Sequence, residues 1–408
     1  MSSAPTDNPA DDPAARPLLR LLPGHDKRAA AGYPWIFANE VTLDEAARAW
    51  PAGGLVTLTR ADGRPLGPAT FNLHSLICAR LFGSDPAEAV DEAFFRRRLE
   101  AALDLRTRLY DQPFYRLIHA EADRLPGFIV DRFGEALVVQ ANTAGAERHL
   151  DLLISALDAL LAPQTIVLRN DSPARGLEGL EREVRLLRGA ITGPLKLEEN
   201  GTLYLADPLG GQKTGWFYDL RAARALIARL ARSGRLLDVY SHTGAFALAA
   251  AVAGAAQVTA VDRSGEALAL AEPAAALNGV AARCRFVVAE AFAYLEQGAA
   301  RAERYEVVVA DPPSFVKAKR ELKSGLKGYR KLARLAAPLV APGGFLFIGC
   351  CSHHVEAEPF AEEVARGLVA AGREGRILAS GGAGSDHPVH PLLPESAPFT
   401  PEQRAWLN

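Results

Sequence analysis

Residues 236–250 read LLDVYSHTGAFALAA, and this stretch predicts a strand, a tight turn and a helix in succession. The apolar run at 236–239 contains one acid, Asp238, and the polar turn after it contains one glycine, Gly244. Alanine-rich sequence follows directly. In an open α/β sheet, the N–H groups at the start of such a helix point towards a ligand above the strand end. The stretch therefore predicts a ligand-binding βαβ unit.

The single glycine of this turn limits which ligand can bind. Dinucleotide sites use Gly-x-Gly-x-x-Gly and P-loops use Gly-x-x-x-x-Gly-Lys-Ser/Thr, and neither pattern occurs here. A phosphate-free adenosine ligand such as S-adenosylmethionine fits better than NAD or FAD. The next predicted strand, 257–261, ends at Asp262, where an acid can accept both ribose hydroxyls. The alternative is an ordinary βαβ unit with an incidental acid.

Strand-like and helix-like segments continue to alternate after this unit. Strands are predicted at 285–288, 306–310 and 344–349, and helices at 265–278 and 357–371. This alternation predicts a doubly wound, mostly parallel sheet. Because ligands bind at the carboxyl ends of such strands, one crevice should collect the following residues. They are Asp238, Asp262, Glu290, Asp311 and Cys351.

Three strand ends carry candidate chemistry. Glu290 and Ala291 could hold an adenine, although Glu290 could also serve only as a helix cap. In Asp311-Pro312-Pro313-Ser314-Phe315, prolines remove backbone donors and leave Asp311 and Phe315 to face a planar base, unless the segment is a plain turn. Cys351 is a candidate nucleophile, with an inert buried thiol as the alternative. No second ligand cluster accompanies the cysteines and histidines at 350–354, so we predict no metal site.

Two further segments flank this crevice. Residues 210–221, GGQKTGWFYDLR, could form a lid over the cofactor or merely a helix entry capped by Thr214 or Asp219. Residues 315–334 hold eight cations against one acid, Glu321. A cationic segment beside the crevice favours RNA phosphate contacts over the alternative of a solvated helix face.

Composition sets the class of protein. The chain has 408 residues, 49% hydrophobic and 23% charged, which predicts a soluble protein of two or three domains. We expect no signal peptide or membrane span, and four cysteines without a zinc pattern favour the cytoplasm. A net charge of −2 argues against wholesale coating by nucleic acid but allows a local basic patch.

The chain divides into four predicted parts. Residues 1–16 should be a disordered tail, and 17–85 a small β-rich module that either faces RNA or packs as an accessory domain. Residues 86–200 form a central α+β domain, ending near the turn at Asn200-Gly201. Residues 201–408 form the Rossmann-like domain.

Several motifs together resemble the RlmI-type large-subunit ribosomal RNA cytosine-5 methyltransferases. They are LLDVYSHTGAF, GQKTGWFYDLR, ADPPSFVK, KGYRKL, CSHH and, upstream, HAEADRLPGFIVDR at 119–132. Residues 21–37 resemble that family's N-terminal PUA domain, and the resemblance covers nearly everything after the tail. It implies a PUA domain, a central domain and a class I methyltransferase domain that uses S-adenosylmethionine on 23S ribosomal RNA.

The resemblance also implies roles for individual residues. Asp238, Tyr240 and Gly244 would form the methionine side of the cofactor site, and Cys351 would be the nucleophile, with Asp311 facing the methyl group and the base. The full predicted cofactor set is Gln212, Phe217, Arg221, Asp238, Tyr240, Gly244, Asp262, Arg263, Glu290, Ala291 and Asp311. The predicted RNA contacts are Lys213, Phe315, Lys317, Lys319, Lys327, Tyr329 and Arg330.

Two positions depart from the family pattern. Glu290 stands where aspartate is commoner, and Ser314 stands where many RNA cytosine-5 enzymes carry a second cysteine. Enzyme release therefore cannot use a cysteine at that point.

The resulting hypothesis is that Cys351 adds to carbon 6 of an unstacked cytosine before carbon 5 is methylated. The nearest alternative is a guanine-N2 methyltransferase that uses the Asp-Pro-Pro-Ser-Phe loop. Another is a non-catalytic RNA-binding assembly factor. The oligomeric state stays open, a homodimer included.

Overall fold

The computed structural model describes residues 11–212, 214–352, 354–396 and 403–407, and the chain divides into two compact units. The first unit runs to Ile191 and includes Pro388–Ser396, and the second begins at Thr192. The predicted β-rich module and central domain thus belong to one unit. The turn at Asn200-Gly201, which the sequence suggested as a boundary, lies instead inside a hairpin of the second unit.

The N-terminal part of the first unit is a five-stranded sheet in the order β1-β3-β4-β5-β2, with two short helices. The strands are β1 (Leu18–Arg20), β2 (Trp35–Ile36), β3 (Gly54–Thr59), β4 (Pro65–Phe71) and β5 (Ala79–Leu81). The helices are α1 (Asp26–Ala30) and α2 (Glu45–Arg48).

The rest of the first unit is a second five-stranded sheet, in the order β10-β9-β8-β7-β6, packed with helices. Its strands are β6 (Phe114–His119), β7 (Phe128–Phe133), β8 (Ala136–Ala141), β9 (Thr165–Asn170) and β10 (Glu183–Arg188). Its helices are α3 (Glu92–Leu109), α4 (Ala144–Arg148), α5 (Leu150–Leu161) and α6 (Ala174–Leu177).

Local chemistry sets the limits of these helices. Asp91 begins α3 because its side chain accepts a hydrogen bond from the Phe94 amide at 2.8 Å. The sequence predicts one helix over 146–161, but the chain leaves helical geometry at His149, where ψ is 13°. The buried His149 ring bonds the Gly145 carbonyl at 2.7 Å, which stabilises the break between α4 and α5.

The predicted disordered tail is packed where the structure describes it. Arg16 pairs with Asp11 and donates to the Glu88 carbonyl at 2.6 Å, and the Val90 amide donates to Asp11 at 2.7 Å. These bonds bury Arg16. Residues 1–10 lie outside the described residues.

The second unit begins with a two-stranded hairpin and continues as a seven-stranded sheet in the order β15-β14-β13-β16-β17-β19-β18. The strands are β11 (Leu195–Glu199), β12 (Thr202–Ala206), β13 (Arg235–Val239), β14 (Gln257–Asp262), β15 (Cys284–Val288), β16 (Tyr305–Ala310), β17 (Val340–Ile348), β18 (Arg376–Gly381) and β19 (Gln403–Leu407). The helices are α7 (Arg221–Leu230), α8 (Ala245–Val252), α9 (Gly265–Leu277), α10 (Ala291–Ala300), α11 (Leu322–Ala336) and α12 (Ala357–Ala370).

Strands β13 to β17 pair in parallel, and β19 joins β17 antiparallel. Strand order reverses between β13 and β16, which creates a crevice at their carboxyl ends. The doubly wound α/β fold predicted from the sequence is confirmed. The hairpin and the antiparallel pair of β18 and β19 were not predicted.

Neither a membrane-spanning helix nor a metal-binding cluster occurs among the described residues. None of their helices has both the length and the apolar character that a membrane span requires. Within the same residues, no group of three or more His, Cys, Asp or Glu side chains is arranged to hold a metal ion.

Candidate active site

A cavity of about 500 Å³ opens at the carboxyl ends of the parallel strands in the second unit. Many predicted site residues line it together, namely Gln212, Phe217, Tyr240, Asp262, Arg263, Glu290, Ala291, Asp311 and Cys351. Other lining residues were not predicted, and they include Trp216, Asp219, Arg224, His242, Phe246 and Cys350. The strand ends therefore meet in one crevice, as the α/β pattern requires.

The turn after β13 has an unusual backbone. Tyr240, His242 and Gly244 all have positive φ angles, of 61°, 54° and 76°. This geometry is costly for Tyr240 and His242, and such strain is concentrated at functional sites. Glycine is needed at 244 because a Cβ there would also lie 3.0 Å from the Ala271 Cβ of α9. The turn thus brings α8 close to α9, and its His242 amide donates to Asp262 at the cavity wall.

Asp262, the last residue of β14, has a side chain that two backbone amides hold in place. One carboxylate oxygen accepts the His242 amide and the other accepts the Ser264 amide, both at 2.8 Å. A carboxylate has about four acceptor sites, so each oxygen retains capacity for a ribose hydroxyl. This fixed orientation is compatible with the ribose role, which stays a prediction.

Glu290 caps a helix, which the sequence left as the alternative to adenine binding, and it also lines the crevice. Its side chain accepts the Ala293 amide at 2.8 Å and so caps α10. Because Glu290 and Ala291 both line the cavity, the cap does not remove this acid from the site.

Asp238 lies behind the wall of the cavity. It is fully buried and accepts the Ala247 amide of α8 at 3.2 Å. Burial, together with the negative charges of Asp311 and Asp262, raises the pKa of Asp238 to about 8. Two other predicted cofactor residues, Arg221 and Gly244, are likewise absent from the cavity wall.

The predicted lid is fixed by a buried ion pair that the sequence did not reveal. Arg224 of α7 bonds Glu199 at 2.6 and 2.8 Å, and both side chains are almost wholly buried. Arg224 also donates to the Phe217 carbonyl at 2.8 Å, and Trp216 donates to Glu199 at 3.4 Å. Glu199 could be located beside Arg224 from the sequence only by predicting the hairpin at 195–206. Lys213 lies outside the described residues.

Neither Thr214 nor Asp219 caps α7, so the alternative of a capped helix entry is wrong. Helix α7 begins at Arg221 with Leu220 as its N-cap and without a side-chain capping bond. Asp219 is buried and lines the cavity, and its Oδ1 has no hydrogen-bond partner among the described residues. This oxygen is therefore available to a ligand.

Asp311 and Cys351 follow β16 and β17, and both residues line the cavity. The Cys351 thiol donates to the Pro312 carbonyl at 3.4 Å. Asp311 lies against Gly349, where any Cβ would collide with its Oδ1. The half-buried Phe315 packs 4.8 Å from the Tyr329 ring and 6.2 Å from the Phe292 ring.

Some side chains predicted to contact RNA are exposed, whereas others are bonded to groups of the protein itself. Lys317, Lys319 and Lys327 are exposed, whereas Arg330 pairs with Glu363 at 2.5 and 2.9 Å. The prediction for Tyr329 is wrong, because its side chain is fully buried and its hydroxyl bonds Ser352 at 2.9 Å. Helical spacing from the lysines places Tyr329 on the core face of α11.

Comparison with known proteins gives two domain matches. A model of S-adenosylmethionine-dependent methyltransferases matches residues 183–372, and a model of PUA-like domains matches residues 19–83. These matches confirm the predicted order of the two domain types.

Similarity to whole proteins covers almost the full chain. A Klebsiella pneumoniae protein named ribosomal RNA large subunit methyltransferase I is 36% identical over 93% of this chain and 96% of its own length. An Escherichia coli K12 protein of the same name is 35% identical over 92% of this chain and 96% of its own length. Among solved structures, a protein assigned as a methyltransferase, in complex with SAH, is 19% identical, with a TM-score of 0.80, and the match covers 96% of this chain and 100% of that chain. That structural likeness concerns the fold.

Proposed function

This chain belongs to the ribosomal RNA large subunit methyltransferase I family, and on that basis we propose that it methylates carbon 5 of a cytosine in 23S ribosomal RNA. It is an enzyme that uses S-adenosylmethionine. The observation that carries the finer proposal is the position of Cys351, whose thiol lines the same cavity as Asp311, Asp262 and Glu290.

The residues of the crevice fit the cofactor. Asp219 offers a buried oxygen without a partner among the described residues, which suits a ligand ammonium group. Asp262 would hold the ribose, Glu290 and Ala291 would lie on the adenine side, and Tyr240 and Gln212 would close over the ligand. When bound, S-adenosylmethionine supplies an electrophilic methyl group.

The protein's own residues would prepare the base for that methyl group. The Cys351 thiolate adds to carbon 6, a sulfur–carbon bond forms, and the electrons of the carbon 5–carbon 6 double bond move towards the ring nitrogen. Asp311 donates a proton to that nitrogen, and carbon 5 becomes nucleophilic. After methylation a base, either Asp311 in its carboxylate form or an ordered water, removes the carbon-5 proton, the carbon 5–carbon 6 double bond returns and Cys351 leaves as the thiolate. The proton on the ring nitrogen then passes to solvent.

The surroundings of the crevice support an RNA substrate. Exposed cations follow the Asp-Pro-Pro loop at Lys317, Lys319, Arg320, Lys323 and Lys327. Such charges bind phosphates, while an unstacked base can enter the cavity. All four cysteines are free, which supports the proposed cytoplasmic location.

The test is methyl transfer to unmodified large-subunit RNA, with analysis of the modified nucleoside. Wild type should form 5-methylcytosine, and Cys351→Ala should lose activity by at least about 10³-fold, because the addition step has no substitute. RNA that carries 5-fluorocytidine at the target should trap wild type as a covalent complex but not Cys351→Ala.

Cys284→Ala is the matched control, since the Cys284 thiol also donates to a carbonyl at 3.4 Å but lies on β15 and does not line the cavity. It should keep full activity. Full methylation by Cys351→Ala would contradict the covalent route. A methylated guanine that survives this substitution would instead indicate the guanine-N2 enzyme, and no turnover by wild type would indicate an assembly factor.

A further inference from the structure

We propose that Ser352 is a positioning residue, whose hydroxyl holds the Cys351 segment against the Asp-Pro-Pro-Ser loop in the geometry that the thiol needs for attack. The proposal rests on the proposed function of Cys351. Ser352 is buried, with 1% of its surface exposed, and it does not line the cavity.

The Ser352 hydroxyl joins three parts of the second unit. Its Oγ lies 2.8 Å from the Ser314 Oγ, 2.9 Å from the Tyr329 hydroxyl and 3.3 Å from the Val316 amide nitrogen. Ser314 and Val316 belong to the loop after β16, whereas Tyr329 lies on α11. Ser352 itself follows β17. One small side chain therefore connects two strand-end loops and a helix.

The group that donates in each of these hydrogen bonds follows from the last acceptor of the series, the Val316 carbonyl. The Val316 carbonyl can only accept, and it accepts from the Ser314 hydroxyl at 2.9 Å. Ser314 must then accept from Ser352, so Ser352 must accept from the Tyr329 hydroxyl and from the Val316 amide. Burial raises the pKa of Tyr329, which keeps its hydroxyl protonated as a donor. The series of bonds begins at the Cys350 thiol, which donates to Tyr329 at 3.4 Å.

Every polar hydrogen in this series has an acceptor, so the arrangement specifies one geometry rather than several. The same two loops supply the reacting groups. Cys351 is the residue before Ser352, and its thiol rests on the Pro312 carbonyl two residues before Ser314. A shift of Ser352 would therefore move the thiol relative to Asp311 and to the bound base. Misplacement of about 1 Å can cost on the order of 10²-fold in rate.

The experiment measures how fast the covalent complex forms with RNA that carries 5-fluorocytidine, at saturating and at varied RNA concentrations. Ser352→Ala should slow the rate constant at saturation by roughly tenfold or more, while the half-saturating RNA concentration and the S-adenosylmethionine affinity stay at the wild-type values. Loss of stability alone would not produce this division between rate and binding. Ser324→Ala on the exposed side of α11 removes a hydroxyl of the same size outside the series of bonds and should leave the rate unchanged.

Tyr329→Phe provides a second variant that keeps the buried ring in place. It removes one of the three partners of Ser352 and should slow the same step by a smaller factor. The two substitutions together should be less than additive, because both break one network.

The outcomes separate the two proposals. A wild-type rate in Ser352→Ala, or in Tyr329→Phe if Ser352→Ala does not fold, would overturn the positioning role and leave the proposed function intact. Absence of a covalent complex in wild type, with methyl transfer preserved, would overturn the covalent route and the positioning role with it.

Discussion

At the scale of single residues, the acids at the strand ends have different environments despite their similar sequence context. Asp262 remains at the cavity wall with two backbone donors, and Glu290 caps a helix there. Asp238 is fully buried behind them. Its raised pKa, about 8, means that the folded protein keeps a proton there which the unfolded chain loses near pH 4.

This difference predicts how stability depends on pH. Because the folded state holds more protons than the unfolded state between about pH 4 and pH 8, Asp238 should lower the free energy of unfolding as the pH rises through that range. Asp238→Asn keeps an acceptor for the Ala247 amide and cannot ionise. The variant should gain at least about 1 kcal/mol relative to wild type between pH 5 and pH 8.

Urea denaturation at a series of pH values measures this effect. Glu272→Gln, an exposed acid on α9, is the control and should follow the wild-type slope. Parallel slopes for Asp238→Asn and wild type would show that Asp238 is ionised in the folded protein.

At the scale of elements, α11 shows how one helix serves both the core and the substrate. Gly325, Tyr329 and Leu332 lie on its buried face, and Gly325 has no room for a Cβ against Val316 and the Phe315 carbonyl. Lys323 and Lys327 lie on its exposed face. The period of 3.6 residues separates the two roles.

The exposed face predicts a salt-dependent contribution to RNA binding. Replacing Lys323 and Lys327 together by glutamine should weaken affinity for the substrate RNA. It should also reduce the slope of log K against log salt by roughly 0.7 for each phosphate that the variant no longer neutralises. The rate at saturating RNA should stay near wild type, since neither side chain lines the cavity.

A pair of exposed arginines serves as the control for α11. Arg229 and Arg232 lie on and just after α7, and their joint replacement by glutamine changes the net charge equally. If both double variants reduced the slope alike, the effect would be one of net charge and the α11 assignment would fail.

At the scale of the whole molecule, the PUA-like sheet and the central domain form one unit, and buried polar contacts connect them. Arg80 of β5 pairs with Glu178 at 2.9 Å, and Asn72 and Ser75 donate to the same carboxylate at 2.9 and 2.7 Å. Burial alone would raise the pKa of Glu178, but the Arg80 charge and these donors outweigh it and lower the pKa.

Removing this carboxylate should loosen the unit. Glu178→Ala leaves Arg80 buried without its main partner and should destabilise the first unit by about 3 kcal/mol. Faster hydrogen exchange of the β3, β4 and β5 amides, measured by mass spectrometry, would show this. Glu181 is an exposed acid three positions along the chain, and the control variant Glu181→Ala should show the amide exchange rates of wild type. Wild-type exchange rates in Glu178→Ala would show that the Arg80–Glu178 pair does not stabilise the unit.

The pH dependence has the opposite sign to that of Asp238. Because the folded state lowers the Glu178 pKa, its stabilisation is present above the ordinary carboxyl range and is lost as the pH falls through the folded value. As the pH falls into the acidic range, the amides of β3, β4 and β5 in wild type should therefore exchange faster, at rates that approach those of Glu178→Ala.

The sequence by itself determined the succession of parallel strands along the chain and the set of residues at their carboxyl ends. Predicted strands at 236–239, 257–261 and 306–310 match β13, β14 and β16 within one residue at each end. Residue periodicity and short connections are local properties, so they can be recognised without knowing what packs against them. The topology of a doubly wound sheet then brings the strand ends together.

Only the tertiary structure decided which side chains face the crevice and which hold it in shape. The Glu199–Arg224 ion pair and the hydrogen bonds of Ser352, including the one to the buried Tyr329, each join residues that are 23 to 38 positions apart. Such contacts depend on how helices and loops pack, and an arginine or a serine has the same local sequence signal whether it faces solvent or the core. The physical reason is that the free energy of a buried polar group is set by its partners, which no local pattern specifies.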